Sequence, residues 1–235
     1  MRYDEAYQRN IGLFTPDQQD MLRQAKVVVG GMGGVGGIQA VTLARLGLGS
    51  ISIIDPGVFD PPDMNRQYGA TKKTMDRNKA IVMGELLKEI NPFMDVQAID
   101  HGLLEDSGLE KVMEGSTLVV DAIDSCAYDY KVAFAKVARK LGVYNLSGPL
   151  FGFGVKLWVF HPEGLHFEEF CPYSPEMDDS LPSNAAAASL NGAMLAMEAA
   201  LIITGIKKES QIYRVPDFTY IDLLTGKNEI CNPFM

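Results

Sequence analysis

The chain is poor in cysteine. It holds three in 235 residues, Cys126, Cys171 and Cys231, and none forms a C-x-x-C pair. That arrangement supports neither a disulfide framework nor a four-cysteine zinc site. Positive charge is also in deficit: 21 Lys and Arg stand against 30 Asp and Glu, a net charge of −9. This argues against an extended nucleic-acid surface and against docking on an anionic membrane. No stretch reaches the roughly 18 unbroken apolar residues of a membrane span, and residues 1–10 are too polar for a secretory signal. The expected compartment is therefore the reducing cytoplasm. His101, His161 and His166 lack metal-ligand spacing, and repeats and low-complexity segments are missing. What remains, 47% hydrophobic and 22% charged, is globular composition on a chain long enough to bury a full core. One domain over residues 1–235 is the simplest organisation, with a change of character near Gly148.

The chain is organised around Val27-Val28-Val29-Gly30-Gly31-Met32-Gly33-Gly34-Val35-Gly36. A β-branched run ending in glycines and followed by an amphipathic segment predicts a buried strand turning tightly into a helix. The bare helix N-terminus presents unpaired N–H groups and partial positive charge, which suit phosphate. Gly31, Gly33 and Gly36 give the G-x-G-x-x-G spacing of a nucleotide or dinucleotide site.

Elsewhere strand and helix signals alternate. Residues 1–14 read as a polar arm. Thr15-Pro16-Asp17 predicts a helix start, with Thr as N-cap and Pro at the first helical position. Strands are expected at 26–29, 50–54, 94–99, 117–120 and 143–146. Helices are expected after the glycines and at 78–90, 109–113 and 128–141. This is the pattern of a doubly wound, Rossmann-like α/β fold with a mostly parallel sheet. An antiparallel extension follows: a strand at 155–160, a long loop at 161–183 covering the site, a buried helix at 184–204, and short strands at 212–215 and 218–223 before a polar tail. Met194 and Met197 read as core or dimer packing.

Asp55 lies at the end of the second strand, where a carboxylate can hold ribose hydroxyls; the bland alternative is a solvated turn residue before Pro56. Asn65-Arg66-Gln67 and Lys79 follow at the same sheet edge. A dehydrogenase needs no cation cluster beside its pyrophosphate, whereas phosphoryl and nucleotidyl transfer do, because charge builds on phosphate oxygens. Arg66 offers a planar fork and Lys79 a point charge. Asp121 and Asp124 close the fourth strand. Each fits a Mg²⁺ ligand, and each equally fits a turn or capping role.

Together these residues resemble the ThiF/MoeB/HesA superfamily, the adenylating domain related to ubiquitin-activating enzymes. The resemblance runs from about Tyr7 to Gly205. It is carried by Tyr7-Gln8-Arg9-Asn10-Ile11, the glycine stretch, Asp55, Asn65-Arg66-Gln67, Lys79, Asn91-Pro92, Asp121-Ala122-Ile123-Asp124 and Ala196-Met197-Glu198-Ala199. It implies that Gly34 approaches the ATP phosphates and Asp55 holds the ribose. Arg66 and Lys79 would bind phosphates, helped by Asn65, and Asp124 would be the Mg²⁺ and adenylation aspartate. Arg9 would reach the partner's site in a homodimer. The implied reaction is ATP- and Mg²⁺-dependent adenylation of a carboxylate, such as the C-terminus of a small ubiquitin-like or sulfur-carrier protein. Residues 1–147 would form the nucleotide-binding half and 148–235 the substrate and dimer half.

The chain departs from the family's pattern at several points. Asp63 stands where many relatives have Asn, and Asp76 where many have Gly. Ser125 replaces the Asn after the adenylation aspartate. An arginine expected a few residues later is missing from Ala127-Tyr128-Asp129. Only Cys171 and Cys231 remain where relatives carry zinc pairs, so no zinc is expected, and Cys171 reads as structural. The Asp-Ala-Ile-Asp-Ser string also resembles the branch that activates a carboxylate on a modified tRNA adenosine, although the acidic balance suits tRNA poorly. Two alternatives stand beside adenylation. The glycine spacing alone fits an NAD(P)- or FAD-dependent oxidoreductase, and the departures fit a non-catalytic nucleotide-binding member.

Overall fold

The computed structural model describes residues 1–103, 106–178 and 182–235. In chain order the helices and strands are α1 (Tyr3–Ala6), α2 (Pro16–Gln24), β1 (Lys26–Gly30), α3 (Gly34–Leu46), β2 (Ser50–Ile54), α4 (Lys79–Ile90), β3 (Asp95–Ile99), α5 (Asp106–Met113), β4 (Leu118–Asp121), α6 (Tyr128–Lys140), β5 (Tyr144–Ser147), β6 (Leu150–Phe151), β7 (Gly154–Phe160), α7 (Phe167–Phe170), α8 (Ala185–Ile203), β8 (Phe218–Asp222) and β9 (Lys227–Cys231). One mixed sheet runs through them in the order β3-β2-β1-β4-β5-β7-β8-β9, with β6 beside β7. The five strands from β3 to β5 are parallel, and β7, β8 and β9 are antiparallel. The predicted doubly wound architecture and antiparallel extension are both present.

Alternate side chains of the central strands feed two cores, as the pleat requires. Val27, Val29, Leu118 and Val120 pack with Leu22, Leu43, Met83, Leu87 and Leu195 on the side of α2, α3, α4 and α8. Val28 and Val119 pack with Leu109, Met113, Phe134 and Val137 on the side of α5 and α6. Helix α8 is apolar enough over its 19 residues to pass as a membrane span by length and composition. Here it is a core helix, with Ala187, Ala188, Leu195, Ala196, Ala199 and Ala200 buried.

Local signals decide most boundaries. At α2, the Thr15 hydroxyl accepts from the Gln18 N–H at 3.2 Å while the Gln18 side chain accepts from the Thr15 N–H at 2.9 Å. Both bonds offset donors that a helix start otherwise leaves unpaired. Replacing Thr15 with Ala should destabilise the fold by about 1 kcal/mol, measurable as a lowered urea midpoint with an unchanged slope.

Four expectations need correction. The N-terminal arm is not merely polar: Tyr3 and Tyr7 are buried, and their hydroxyls donate to the Gly47 and Ala44 carbonyls at the end of α3. Residues 212–215 do not form a strand; only the Val215 N–H reaches the sheet, donating to the Val159 carbonyl at 3.0 Å. The expected polar tail contains β9, paired in register with β8. The segment read as loop at 161–183 holds α7 and a 3-10 turn at Pro175–Asp178, while residues 179–181 lie outside the described residues. Phe167 and Phe170 pack with Trp158, Phe160 and Phe218, and Cys171 and Cys231 lie against that aromatic cluster. Burial pushes the Cys171 thiol up from its ordinary pKa, which keeps it protonated and fits a packing role.

Candidate active site

The strand order reverses at β1, which lies between β2 and β4. In doubly wound sheets ligands bind beyond the strand ends at such a switch point. Gly30 is in register with Ile54 on one side and Asp121 on the other, so the glycine loop, Asp55 and the 121–124 loop emerge together.

The glycines do different work. Gly31 has φ +89°, and a Cβ there would lie 2.3 Å from the Ala122 carbonyl oxygen. A Cβ at Gly36 would lie 1.9 Å from the Gly31 carbonyl oxygen. Both are required by the protein's own packing. Gly34 begins α3 beside Arg66 and Ala188. Gly33 is different: a Cβ there would meet only Gln67 Nε2, at 3.8 Å, and the residue faces two clefts. The protein leaves room at Gly33 for something that approaches closely. Gly33→Ala should therefore fold with wild-type stability yet weaken nucleotide binding about tenfold, read by titration calorimetry beside a melting curve. The N-cap of α3 is Gly33 itself, with no side-chain cap, so the helix end is bare as the sequence implies.

One cleft, with a volume of about 270 Å³, is lined by Gly31, Gly33, Asp55, Lys79, Asp124 and Cys126 together with the apolar groups Ile54, Leu103, Leu109, Ile123, Tyr130 and Phe134. Asp55 Oδ2 accepts from the Met32 N–H at 2.6 Å and Oδ1 from the Gly57 N–H at 2.7 Å. These bonds fix the glycine loop against β2. Burial raises the Asp55 pKa; the two N–H donors and Lys79 oppose that rise, and Asp124 adds to it. Lys79 opens α4, placed by its N-cap Asn78, whose amide donates to the Asp55 and Gly57 carbonyls.

A second cleft is lined by Gly33, Gly34, Arg66, Gln67, Asp121, Asp124, Ser125, Cys126, Lys131 and Ser147. Arg66 donates to the Asn65 side chain at 2.9 Å and to the Pro62 carbonyl at 3.1 Å. Asn65 lines neither cleft; its amide donates to the Ser183 carbonyl at 3.1 Å, tethering the approach to α8 and orienting Arg66. Gln67 is buried and donates to Asp63. Asp124 is exposed, lies between the clefts and accepts no capping bond from the turn that follows. Its free hard oxygens suit Mg²⁺, which binds through one or two carboxylates plus substrate phosphates.

Asp121 differs from Asp124. It is 1% exposed, and Lys131 Nζ lies 2.8 Å from its carboxylate while also donating to the Ile123 carbonyl at 2.8 Å. The Asp121 charge is thus met inside the protein. Lys131 escaped the sequence reading because nothing in its helical spacing advertises a site; only the fold brings it back to Asp121, ten residues earlier. Asp76 has φ +64°, a left-handed conformation that Asp tolerates better than most residues, so the backbone keeps the shape that Gly would give there. Arg9 is exposed on a 3-10 turn beside the C-terminal end of α3 and lines neither cleft.

Fold and site together define a Rossmann-like α/β domain whose glycine loop opens into two adjoining clefts. The chain belongs to the ThiF family, whose model it matches over residues 7–233. It is 36% identical over 137 residues to the tRNA threonylcarbamoyladenosine dehydratase of Haemophilus influenzae, covering 58% of this chain and 52% of that protein. It is 30% identical over 204 residues to the sulfur carrier protein adenylyltransferase of Thermus thermophilus, covering 82% and 74%. The first match therefore spans about half of its relative and the second about three quarters. The crystal structure of Escherichia coli MccB with ATP superposes with a TM-score of 0.81 at 20% identity, over 97% of this chain and 70% of that one, a likeness of fold.

Proposed function

We propose that the chain is an ATP-dependent adenylyltransferase that activates a carboxylate, with the C-terminus of a small ubiquitin-like or sulfur-carrier protein as the preferred acyl donor. One observation carries this reading: the two clefts share Gly33, Ala122, Ile123, Asp124 and Cys126. An adenosine in the apolar cleft would put its α-phosphate at that junction, facing an acyl group entering from the cleft of Arg66 and Lys131. The named adenylyltransferase relative supports the same chemistry.

The residues divide the work. Ile54, Leu109 and Phe134 exclude water around the base. Asp55 accepts from ribose hydroxyls while its bonds to Met32 and Gly57 keep the loop in place. A carboxylate oxygen of the acyl donor attacks the α-phosphorus, a new P–O bond forms, and the bond to the bridging oxygen breaks. Pyrophosphate leaves with that electron pair, giving an acyl-adenylate. Arg66 and Lys79 offset the charge that builds on the phosphate oxygens. Mg²⁺, when bound, shields the leaving pyrophosphate, and Asp124 is the residue placed to hold it. Arg9 belongs to another copy's site: its turn sits at the far end of the 13-residue α3, roughly 20 Å from the glycine loop at 1.5 Å per residue, so a homodimer is part of this reading.

ATP–pyrophosphate exchange with a panel of carrier-protein C-termini tests the proposal. Exchange that needs both the carrier's terminal carboxylate and Mg²⁺ is the expected result; a dimeric, folded, ATP-binding protein that exchanges with none of them, and with no small carboxylate, would overturn it. The likeness to the dehydratase favours one second reading, a carboxylate borne on tRNA. Release of AMP that depends on tRNA and not on a carrier protein would select that reading.

A further inference from the structure

Asp63 sits among the cations that face the two clefts. It is 7% exposed, in the 3-10 turn Pro61–Asn65. Oδ2 lies 3.1 Å from Lys79 Nζ and accepts from the Asp60 N–H at 3.1 Å. Oδ1 lies 3.6 Å from Arg66 Nη2 and accepts from the Gln67 amide. Lys79 lines the nucleotide cleft and Arg66 the adjoining one. One carboxylate thus bridges both cations and cancels half of their charge, in a place where burial screens the interaction little.

That placement has a consequence for the ligand. A metal-free triphosphate is a strongly charged polyanion. At this subsite it would meet a buried carboxylate as well as the two cations, and the repulsion is long-range in a partly desolvated site. A divalent cation already on the phosphates lowers the charge to be met. We propose that Asp63 is a specificity-determining residue that makes the site accept the metal-complexed nucleotide and reject the free polyphosphate. The proposal rests on the reading of these clefts as an ATP site. Its carboxylate holds Lys79 and Arg66 apart and aimed, and at the same time withholds the net charge that would capture a bare triphosphate.

Calorimetric titration of the full chain with ATP, in MgCl₂ and separately in EDTA, tests this. Wild type should bind ATP at least about tenfold tighter with Mg²⁺. Asp63→Asn keeps an acceptor for the Asp60 N–H and removes the charge. It should raise affinity in EDTA about tenfold and change affinity in MgCl₂ less than about threefold, so the ratio collapses. Should that variant lose its circular-dichroism signature, Asp63→Ser gives the same reading with a smaller uncharged side chain. A wild-type ratio near one, or a ratio that survives in the folded variant, overturns the role of Asp63. A wild type that binds no ATP even with Mg²⁺ overturns the nucleotide-site reading instead.

Discussion

Lys79→Ala should lower adenylation by about 10²–10³-fold, the cost of removing one preorganised charge donor from a transition state. The effect is expected to be large because Lys79 is fixed in place. Its backbone N–H donates to the Gly57 carbonyl at 2.8 Å, the helix behind it is capped by Asn78, and its ammonium is held at Asp63 and over the Phe59 ring, 5.8 Å from the centroid. Little reorganisation is needed when phosphate arrives. The loss should fall on kcat/KM for ATP. Stability should fall as well, because Asp63 then keeps only Arg66, at 3.6 Å, as its cation, and a pyrophosphate-exchange assay on the folded variant beside a melting curve separates the two. Lys79→Arg should restore little, since a planar fork does not reproduce a point charge set between Asp63 and the cleft.

Lys131→Met should destabilise the protein by about 3–5 kcal/mol, because it strands a buried carboxylate. The Lys131 side chain is 9% exposed and that of Asp121 is fully buried, so water cannot take over the role of the ammonium. For a chain of this size that is a drop in melting temperature of roughly 10 °C or more. The double variant Lys131→Met/Asp121→Asn should recover most of the loss, since a neutral pair no longer leaves a charge unmet. Activity should not return with it: the bond from Lys131 to the Ile123 carbonyl holds the loop that carries Asp124. Scanning calorimetry of the single and double variants, with exchange rates on both, distinguishes support of the fold from support of the loop.

Much of the central fold was legible because local and global signals agree there. Thr15 with Pro16 starts a helix, Asn78 caps another, and β-branched runs end at Gly30, Ile54 and Asp121. The glycine loop announced its own shape, and Asp55, Arg66, Lys79 and Asp124 could be placed at one sheet edge from strand order alone. Other features were invisible for physical reasons. Strand β9 reads Lys-Asn-Glu-Ile-Cys, a polar sequence natural to an edge strand with a solvated face. Residues 212–215 begin and end on β-branched side chains, but Ile212 and Val215 are buried without extending the sheet. Tyr3 and Tyr7 looked like surface residues because their hydroxyls hide how deeply the rings pack. The split between Asp121, paired with Lys131, and Asp124, left open, lies in tertiary geometry, and so does the grip of Asp63 on two cations. Two carboxylates three residues apart give no sign in sequence of which is already spoken for.

On the proposed reading the glycine loop cradles a triphosphate rather than a dinucleotide. Competition calorimetry tests it most directly: ATP with Mg²⁺ is titrated into the wild-type chain in the presence and absence of saturating NAD⁺ or FAD. Saturable ATP binding that neither dinucleotide displaces, and that Arg66→Ala and Lys79→Ala each weaken, is the predicted result. A dinucleotide that binds at the same site and excludes ATP would contradict it.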